Sequence, residues 1–345
     1  MTTLYQDPRD VKLDDFPSSA SIADKFRYLL NYAVLAPSGH NTQPWLFELA
    51  DDSVKVMFDR SRVLGFVDPD HRELIISCGA AICNLELAAR HFGLQAKVDV
   101  TPDSGSADLL ASISLTEDSP PTNAEQALFA AIKTRQTNRS AFTQDDITPA
   151  VLAKCIAAAA RYDIQFNHCD DDKTKSVVAE IVMQGDKWQF SQPWFRTELA
   201  TWLHSSRKDS HDGMSGRRFG IPDLFTPLLG FVMRTFNIGK QVGRANSEKI
   251  RTASPVLALF SSNHDNIADW VNTGRALEQC LLSLWADGYA VSYLNQAVET
   301  KPLRNRLRLV FDSLSFPQLM IRIGKAPPGQ YSVRRSVDEC VLKGQ

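Results

Sequence analysis

Long apolar runs are missing from this chain of 345 residues. Nothing in it approaches the ~20 consecutive apolar residues that cross a bilayer as a helix, so no membrane span is predicted. A surplus of one charge is missing too. Lys and Arg number 38 against 40 Asp and Glu, a formal net charge of −2, which supplies no global field for nucleic acid or an anionic membrane. The 6 cysteines, Cys78, Cys83, Cys155, Cys169, Cys280 and Cys340, include no C-x-x-C pair, and the 7 histidines show no metal-ligand spacing. They predict buried thiols in a reducing compartment, not disulfides or a metal centre. Residues 1–16 are polar and acidic and lack the apolar core of a signal peptide, so a cytoplasmic location is the expectation. No Ser-His-Asp or paired-carboxylate constellation is apparent. What is present is ordinary globular composition, 43% hydrophobic and 23% charged, at a length that suits one large domain or about two.

Hydrophobic periodicity then divides the chain into two series. In the first, residues 21–36 read as a helix, with Ser21 and Asp24 as a capping pair and Ile22, Phe26, Leu29, Leu30, Ala33 and Val34 as its apolar stripe. Strands are predicted over 45–49 and 54–58, a long buried helix over 70–92 closed by Gly93, and strands over 94–100 and 109–115. The second series opens with a helix over 123–133 and another from Thr148-Pro149 to Ala160. A strand follows over 164–168, then helices over 171–184 and 193–204. Residues 205–251 read as irregular, Gly-containing and locally basic, with nine Lys or Arg against four Asp or Glu. A strand over 255–261, an apolar helix over 265–287 capped by Gly288, a strand over 289–294, a helix over 302–310 and a strand over 318–323 complete the series. Fourteen positions separate Gly79 from Gly93 and Gly274 from Gly288, and Asn84 and Gln279 fall on matching places. That correspondence predicts an internal duplication: a first half over 20–122, and a second over 123–345 with an insertion at 205–251 and a C-terminal tail.

The most informative stretch is Ala36-Pro37-Ser38-Gly39-His40-Asn41-Thr42-Gln43-Pro44-Trp45. Pro37 and Pro44 forbid helix and Gly39 permits a turn, leaving a polar loop that carries Ser38, Asn41 and Gln43. Neutral donors and acceptors beside an indole suit an aromatic, amide-like ligand such as a flavin ring or its ribityl chain. A second candidate is Arg135-Gln136-Thr137-Asn138-Arg139. Its two guanidiniums suit a phosphate, with Thr137 and Asn138 adding neutral hydrogen bonds. A third is the basic tail around Arg334-Arg335, and a fourth is Ser292-Tyr293-Leu294-Asn295-Gln296 after the second long helix.

The first stretch resembles the A-P-S-x-x-N-x-Q-P-W motif of the nitroreductase family of flavoenzymes. The second resembles that family's R-R-S-x-R phosphate motif, with Gln136 at the second Arg and Thr137 at the Ser. Phe142 stands one residue further on than the family's usual Phe. The resemblance implies an α+β nitroreductase-like fold and FMN as cofactor. It implies that Pro37, Ser38, Asn41 and Gln43 contact the flavin, and that Arg135, Thr137, Asn138 and Arg139 hold its phosphate with one of Arg334 and Arg335. It also implies that backbone at Leu294 or Asn295 faces flavin N5. Each motif occurs in one half only. The chain is therefore similar to the Acg-like branch of the family, a fused pseudo-dimer with one FMN site, working as a monomer or homodimer. The activity implied is NAD(P)H-dependent reduction of nitroaromatics, quinones or a related small-molecule acceptor, the chemistry being carried by the flavin. The alternative is a catalytically weak FMN-sequestering or storage protein, in which 205–251 forms a lid through Met214, Arg217, Arg218, Phe219 and Phe225, hinged at Gly213, Gly216 and Gly220.

Overall fold

The computed structural model describes residues 5–101, 106–205, 210–216 and 221–342. Helix α1 (Ile22–Ala33) starts where Ser21 accepts a hydrogen bond from the Asp24 amide, and it buries Phe26, Leu29 and Leu30. Strands β1 (Trp45–Leu49) and β2 (Ser53–Phe58) form a hairpin. Helix α2 (Arg72–His91) follows, and then β3 (Leu94–Val100) and β4 (Leu109–Glu117) complete an antiparallel sheet of order β1-β2-β4-β3. The second half repeats that topology. After α3 (Asn123–Thr134) and α4 (Pro149–Ala160), strands β5 (Ile164–Cys169), β6 (Val256–Ser262), β7 (Ala290–Tyr293) and β8 (Phe316–Gly324) form an antiparallel sheet of order β5-β6-β8-β7. Helix α9 (Ile267–Ala286) joins β6 to β7 as α2 joins β2 to β3. The register shifts between Val56 and Met57 on β2 and between Phe260 and Ser261 on β6, the corresponding strand. Gly93 and Gly288 close α2 and α9 with φ of 72° and 83°, a left-handed conformation that glycine adopts without a Cβ penalty.

The halves meet where α2 crosses α9. A Cβ on Gly79 would lie 2.1 Å from the Val271 carbonyl oxygen, and one on Gly274 would lie 1.9 Å from the Ile76 carbonyl oxygen. The two contacts are mirror-related, each glycine facing the carbonyl three residues before the other. Apolar side chains extend the contact: Val271 and Leu282 of α9 belong to the core of the first half, and Ile76 of α2 to that of the second. Arg275 spans the pair with two bonds to Glu86, at 3.0 and 2.7 Å.

The halves differ in one connection. Residues 50–52 turn between β1 and β2, whereas 170–255 separate β5 from β6 and hold α5 (Asp172–Ser191), α6 (Pro193–Thr201), α7 (Thr226–Thr235) and α8 (Gly239–Thr252). The insertion therefore begins well before residue 205. The irregular segment expected over 205–251 contains two helices. Helix α8 escapes the usual apolar pattern because its contact is made with glycine: Cβ atoms on Gly239 and Gly243 would meet α5 at 2.7 and 3.0 Å. Helix α10 (Lys301–Val310) lies between β7 and β8 in chain order. The tail then returns to the first half, where Phe47 N donates to the Cys340 carbonyl at 2.9 Å and Leu342 N to the Phe47 carbonyl at 2.8 Å.

Gly274→Ala is expected to destabilise the protein by about 3 kcal/mol or more, since the added methyl meets backbone that has no rotamer to escape into. Gly288→Ala, with nothing within 4 Å of the new Cβ, should cost only the left-handed backbone, ~1–2 kcal/mol. Urea denaturation of both variants checks this; equal losses would show that the helix crossing is looser than described.

Candidate functional site

The loop between α1 and β1 has no counterpart in the second half, where residues 161–163 alone join α4 to β5. It holds three non-glycine residues in the left-handed region: His40 (φ 49°), Asn41 (φ 59°) and Gln43 (φ 52°). Such conformations cost roughly 1–3 kcal/mol each and persist only where surroundings enforce them. The tail enforces these. Arg334 donates to Asn41 Oδ1 at 2.9 Å and to the Leu35 and Ala36 carbonyls at 3.0 Å. Arg335 donates through its backbone N to Gln43 Oε1 at 2.8 Å and through Nη1 to the Gln43 carbonyl at 3.0 Å. On the other side, Asn41 Nδ2 reaches the Gly213 carbonyl (3.0 Å) and Gln43 Nε2 the His211 carbonyl (2.7 Å). Ser38 Oγ accepts from Gln43 N at 2.9 Å, which leaves its hydroxyl proton to donate elsewhere.

Three adjoining cavities, of about 240, 820 and 40 Å³, meet at Arg139 and Tyr293, which line all of them. Pro37 and Ser38 line the first and third, Thr137 the second and third, Asn295 the first, and Asn138 and Leu294 the second. Arg135, Asn41 and Arg334 line the smallest, with Arg9 and Met214. The expected loop and the expected Arg-x-Thr-x-Arg segment therefore share one cleft between the halves. The segment is held there by Asn138 N, which donates to the Val291 carbonyl at 2.9 Å, and by Asn138 Nδ2, which donates to the Pro327 carbonyl at 2.7 Å.

Several of the expected residues lie away from the cavities or have their polar groups already bonded. Gln43 and Arg335 bond to each other and line none of these cavities; they hold the loop from behind. The Leu294 amide is committed to the Met320 carbonyl at 2.9 Å, so it has no proton to offer a ligand. Asn295 begins a short 3-10 turn, Asn295–Ala297, where the first N–H groups lack a partner within the turn. Phe225 is exposed and lines none of the three cavities. Arg217, Arg218, Phe219 and Gly220 lie outside the described residues.

Arg139 and Arg135 differ in their surroundings. Arg135 Nε lies 3.4 Å from Glu278 Oε1 on α9. Burial raises the Glu278 carboxyl above its ordinary pKa, while Arg135 and Arg334 pull it back down. Arg139 has no carboxylate partner among the described residues, and burial lowers its pKa. Two buried polar atoms in the cleft, Tyr293 Oη and His40 Nδ1, also lack a hydrogen-bond partner among the described residues.

The 240 Å³ cavity has an acidic and aromatic side that the sequence did not disclose. Glu73 on α2 bonds Asn295 Nδ2 at 3.2 Å and Arg72 Nη2 at 3.0 Å. Asp186 accepts from Asn246 at 2.9 Å and from Gln296 at 3.2 Å, and Glu299 accepts from Gln189. Burial raises all three carboxyls, Asp186 to about 6. Phe190 of α5 and Phe195 of α6 close this cavity. Glu73 reads in sequence as a first-turn helix residue. Asp186 and Glu299 sit in segments whose place beside the loop is a tertiary fact.

No family model matches the chain. A Mycobacterium tuberculosis (strain H37Rv) protein named "Putative NAD(P)H nitroreductase Rv3131" is 30% identical over 307 residues, which cover 88% of this chain and 86% of that protein. The like-named acg protein of the same strain is 26% identical over 334 residues, 94% of this chain and 97% of that one. Among solved structures, the FMN-dependent nitroreductase NfnB from Mycobacterium smegmatis in complex with NADPH superposes with a TM-score of 0.40 at 13% identity, covering 64% of this chain and 99% of that one.

Burial, reinforced by the charge of Arg139, holds the His40 imidazole down to about 4. The unfolded chain takes up that proton near 6.5, so between these values the unfolded state binds more protons and stability falls as pH is lowered. Full protonation costs on the order of 3 kcal/mol, at about 1.4 kcal/mol per unit. His40→Asn keeps a side chain that tolerates the left-handed backbone and removes the titration. Urea midpoints measured from pH 7 to 4 should show the wild type losing stability relative to His40→Asn. Parallel pH profiles would place His40 in contact with solvent instead.

Proposed function

This chain belongs to the NAD(P)H nitroreductase family, and we propose that it binds one FMN in the cleft between its halves and uses it to pass electrons from NAD(P)H to a small oxidised acceptor such as a quinone or nitroaromatic. The observation that carries this reading is the convergence of the 37–43 loop of the first half with residues 135–139 of the second on cavities that meet at Arg139 and Tyr293. We take 20–122 and 123–345 as the two halves of a pseudo-dimer. The single 37–43 loop supports one site per chain. The donor set fits the cofactor: an unpaired guanidinium for a phosphate, a Ser38 hydroxyl free to donate, and unpartnered polar atoms on Tyr293 and His40.

In this reading Arg135 and Arg139, with Arg334, receive the phosphate, and Thr137 adds a neutral hydrogen bond. Pro37 and Ser38 bound the ring side, and the Asn295 backbone donates toward it. Glu73 holds Asn295 through its side-chain amide, so the donor's position is set by the first half. Bound FMN supplies the hydride-accepting centre and the two-electron chemistry. Phe190 and Phe195 limit water at the ring side.

Flavin released by heat should equal one FMN per chain, and the flavin should bleach on anaerobic addition of NADH or NADPH. Arg139→Ala removes a charge-assisted contact worth ~1.5–3 kcal/mol, about ten- to a hundred-fold in affinity. FMN should be lost on gel filtration while riboflavin binding changes little; equal weakening of both would remove Arg139 from the phosphate site.

One observation favours a second reading, a covered flavin with slow turnover. Residues 210–216 lie on the loop through the Gly213 and His211 carbonyls, Met214 lines the smallest cavity, and Asp212 pairs with Arg62 at 2.7 Å. If this segment limits access, Asp212→Ala should free it and speed anaerobic flavin reduction by NAD(P)H several-fold without loss of FMN. Stopped-flow absorbance reads the rate; an unchanged rate in an FMN-loaded variant would make the segment a brace and not a cover.

A further inference from the structure

The 820 Å³ cavity is lined entirely by residues between 137 and 330 and takes nothing from the 37–43 loop. Three cations converge on it: Arg139, Lys249 of α8 and Arg322 of β8. No carboxylate lines it, and among the described residues none of the three has an ion-pair partner. Their neighbours fix them in place without neutralising them. Arg322 is only 2% exposed, donates to the Ser140 carbonyl at 2.7 Å and the Ala253 carbonyl at 3.2 Å, and stacks 3.9 Å from the Phe142 ring centroid. Lys249 Nζ donates to the Arg139 carbonyl at 3.0 Å. Of the three, Arg322 is buried, Lys249 is half-buried and Arg139 keeps access to solvent; desolvation and the neighbouring positive charges lower the pKa of Lys249 and of Arg322, Arg322 to about 10.

Buried charges are expected to be paired, and like charges gathered without a counterion destabilise one another. The two carbonyls and the Phe142 ring offset part of that cost for Arg322, but they do not neutralise its charge. A dianion in the cavity removes that cost, and guanidinium groups match phosphate oxygens in geometry as well as charge. Asn246 and Gln330 add neutral hydrogen-bonding groups to the walls, and the volume lies in the usual range for an organic ligand, roughly 300–1,000 Å³.

We propose that this cavity is a second phosphate-binding site adjoining the flavin cleft, which takes a phosphate-bearing organic ligand whose anionic group seats between Lys249 and Arg322, while Arg139 stands at the boundary and is left to the flavin phosphate. The adenosine-phosphate end of a nicotinamide nucleotide and a free phosphorylated metabolite share this chemistry. Lys249 comes from the insertion, so the site belongs to the half that carries α5–α8. It does not depend on the flavin reading, because Lys249 and Arg322, unlike Arg139, line neither of the cavities that the loop shares.

The test is calorimetric titration of the protein, saturated with FMN, by adenosine 2′,5′-bisphosphate and by inorganic phosphate, for wild type and Lys249→Gln. Saturation with FMN keeps a flavin phosphate site occupied. The wild type is expected to bind at least one probe, and Lys249→Gln to bind it about ten-fold more weakly or worse with FMN affinity unchanged. Tighter binding of the bisphosphate assigns the site to a nucleotide, and tighter binding of inorganic phosphate to a smaller phosphorylated ligand. The proposal is overturned if the wild type binds neither probe or if Lys249→Gln binds as the wild type does. It is also overturned if Lys249→Gln weakens FMN but not riboflavin, because the flavin phosphate would then occupy this cavity. A protein that takes up no flavin would defeat the reading of the cleft and leave the two titrations to decide this one.

Discussion

The contact on which the rest of the molecule depends is the crossing of α2 and α9 at Gly79 and Gly274. Each glycine sits against backbone of the other helix at a distance no Cβ tolerates. Helices that touch through backbone are fixed in rotation and translation far more narrowly than helices separated by side chains, which have rotamers to adjust. Each helix lies between the second and third strands of its own sheet in chain order. Fixing one helix against the other therefore fixes one sheet against the other. The cleft inherits that precision. Its two defining segments, the 37–43 loop and residues 135–139, belong to different halves and meet only because the helices between them do.

The loop itself is strained, and the strain is answered by arginine. Three left-handed non-glycine residues at roughly 1–3 kcal/mol each are opposed by hydrogen bonds from Arg334 and Arg335 to backbone and amide oxygens of residues 35–43. Bonds to a charged group are worth ~1.5–3 kcal/mol, so the two sides are comparable in size. A planar guanidinium reaches Asn41 and two carbonyls at once, which the single ammonium of a lysine cannot do with the same geometry. The tail continues to a single parallel bridge between Val341 and Phe47, so the clasp is anchored on the sheet of the half it serves.

Much of this architecture was legible in the sequence. Helix α2 and helix α9 declared themselves by apolar surface on every side, and Gly93 and Gly288 by their place at the ends. The 37–43 loop was visible because two prolines and a glycine exclude regular structure. The polar residues in it were legible as a set, but their division of labour was not. Gln43 and Ser38 alternate in the same short stretch, and only the path of the tail decides that one faces the cavity and the other faces Arg335. Helix α8 was missed because it contacts α5 through glycine, a residue that weakens every local helix signal. Lys249 and Arg322 were missed for opposite reasons. Lysine in a basic helix looks like a solvated face, and an arginine flanked by Ile321 and Ile323 looks like a break in a strand.

The charges around the cleft complete the picture. Glu73, Asp186 and Glu299 line the 240 Å³ cavity with Arg139, whereas Arg135, Lys249 and Arg322 line the two neighbouring cavities, which take no carboxyl. Opposite signs so close would ordinarily pair and close the space between them. Here the amides of Asn295, Asn246, Gln296 and Gln189 occupy the carboxylate oxygens, and burial raises the three carboxyls toward their neutral forms. Carboxyl oxygens engaged in this way make no ion pair with Arg139 among the described residues. Arg139 therefore remains without a partner although acids line the same wall, and its charge stays available to whatever enters. An anionic ligand meets unpaired cations in the cavity that Arg139 shares with Lys249 and Arg322, and carboxyls in the 240 Å³ cavity alone among the three.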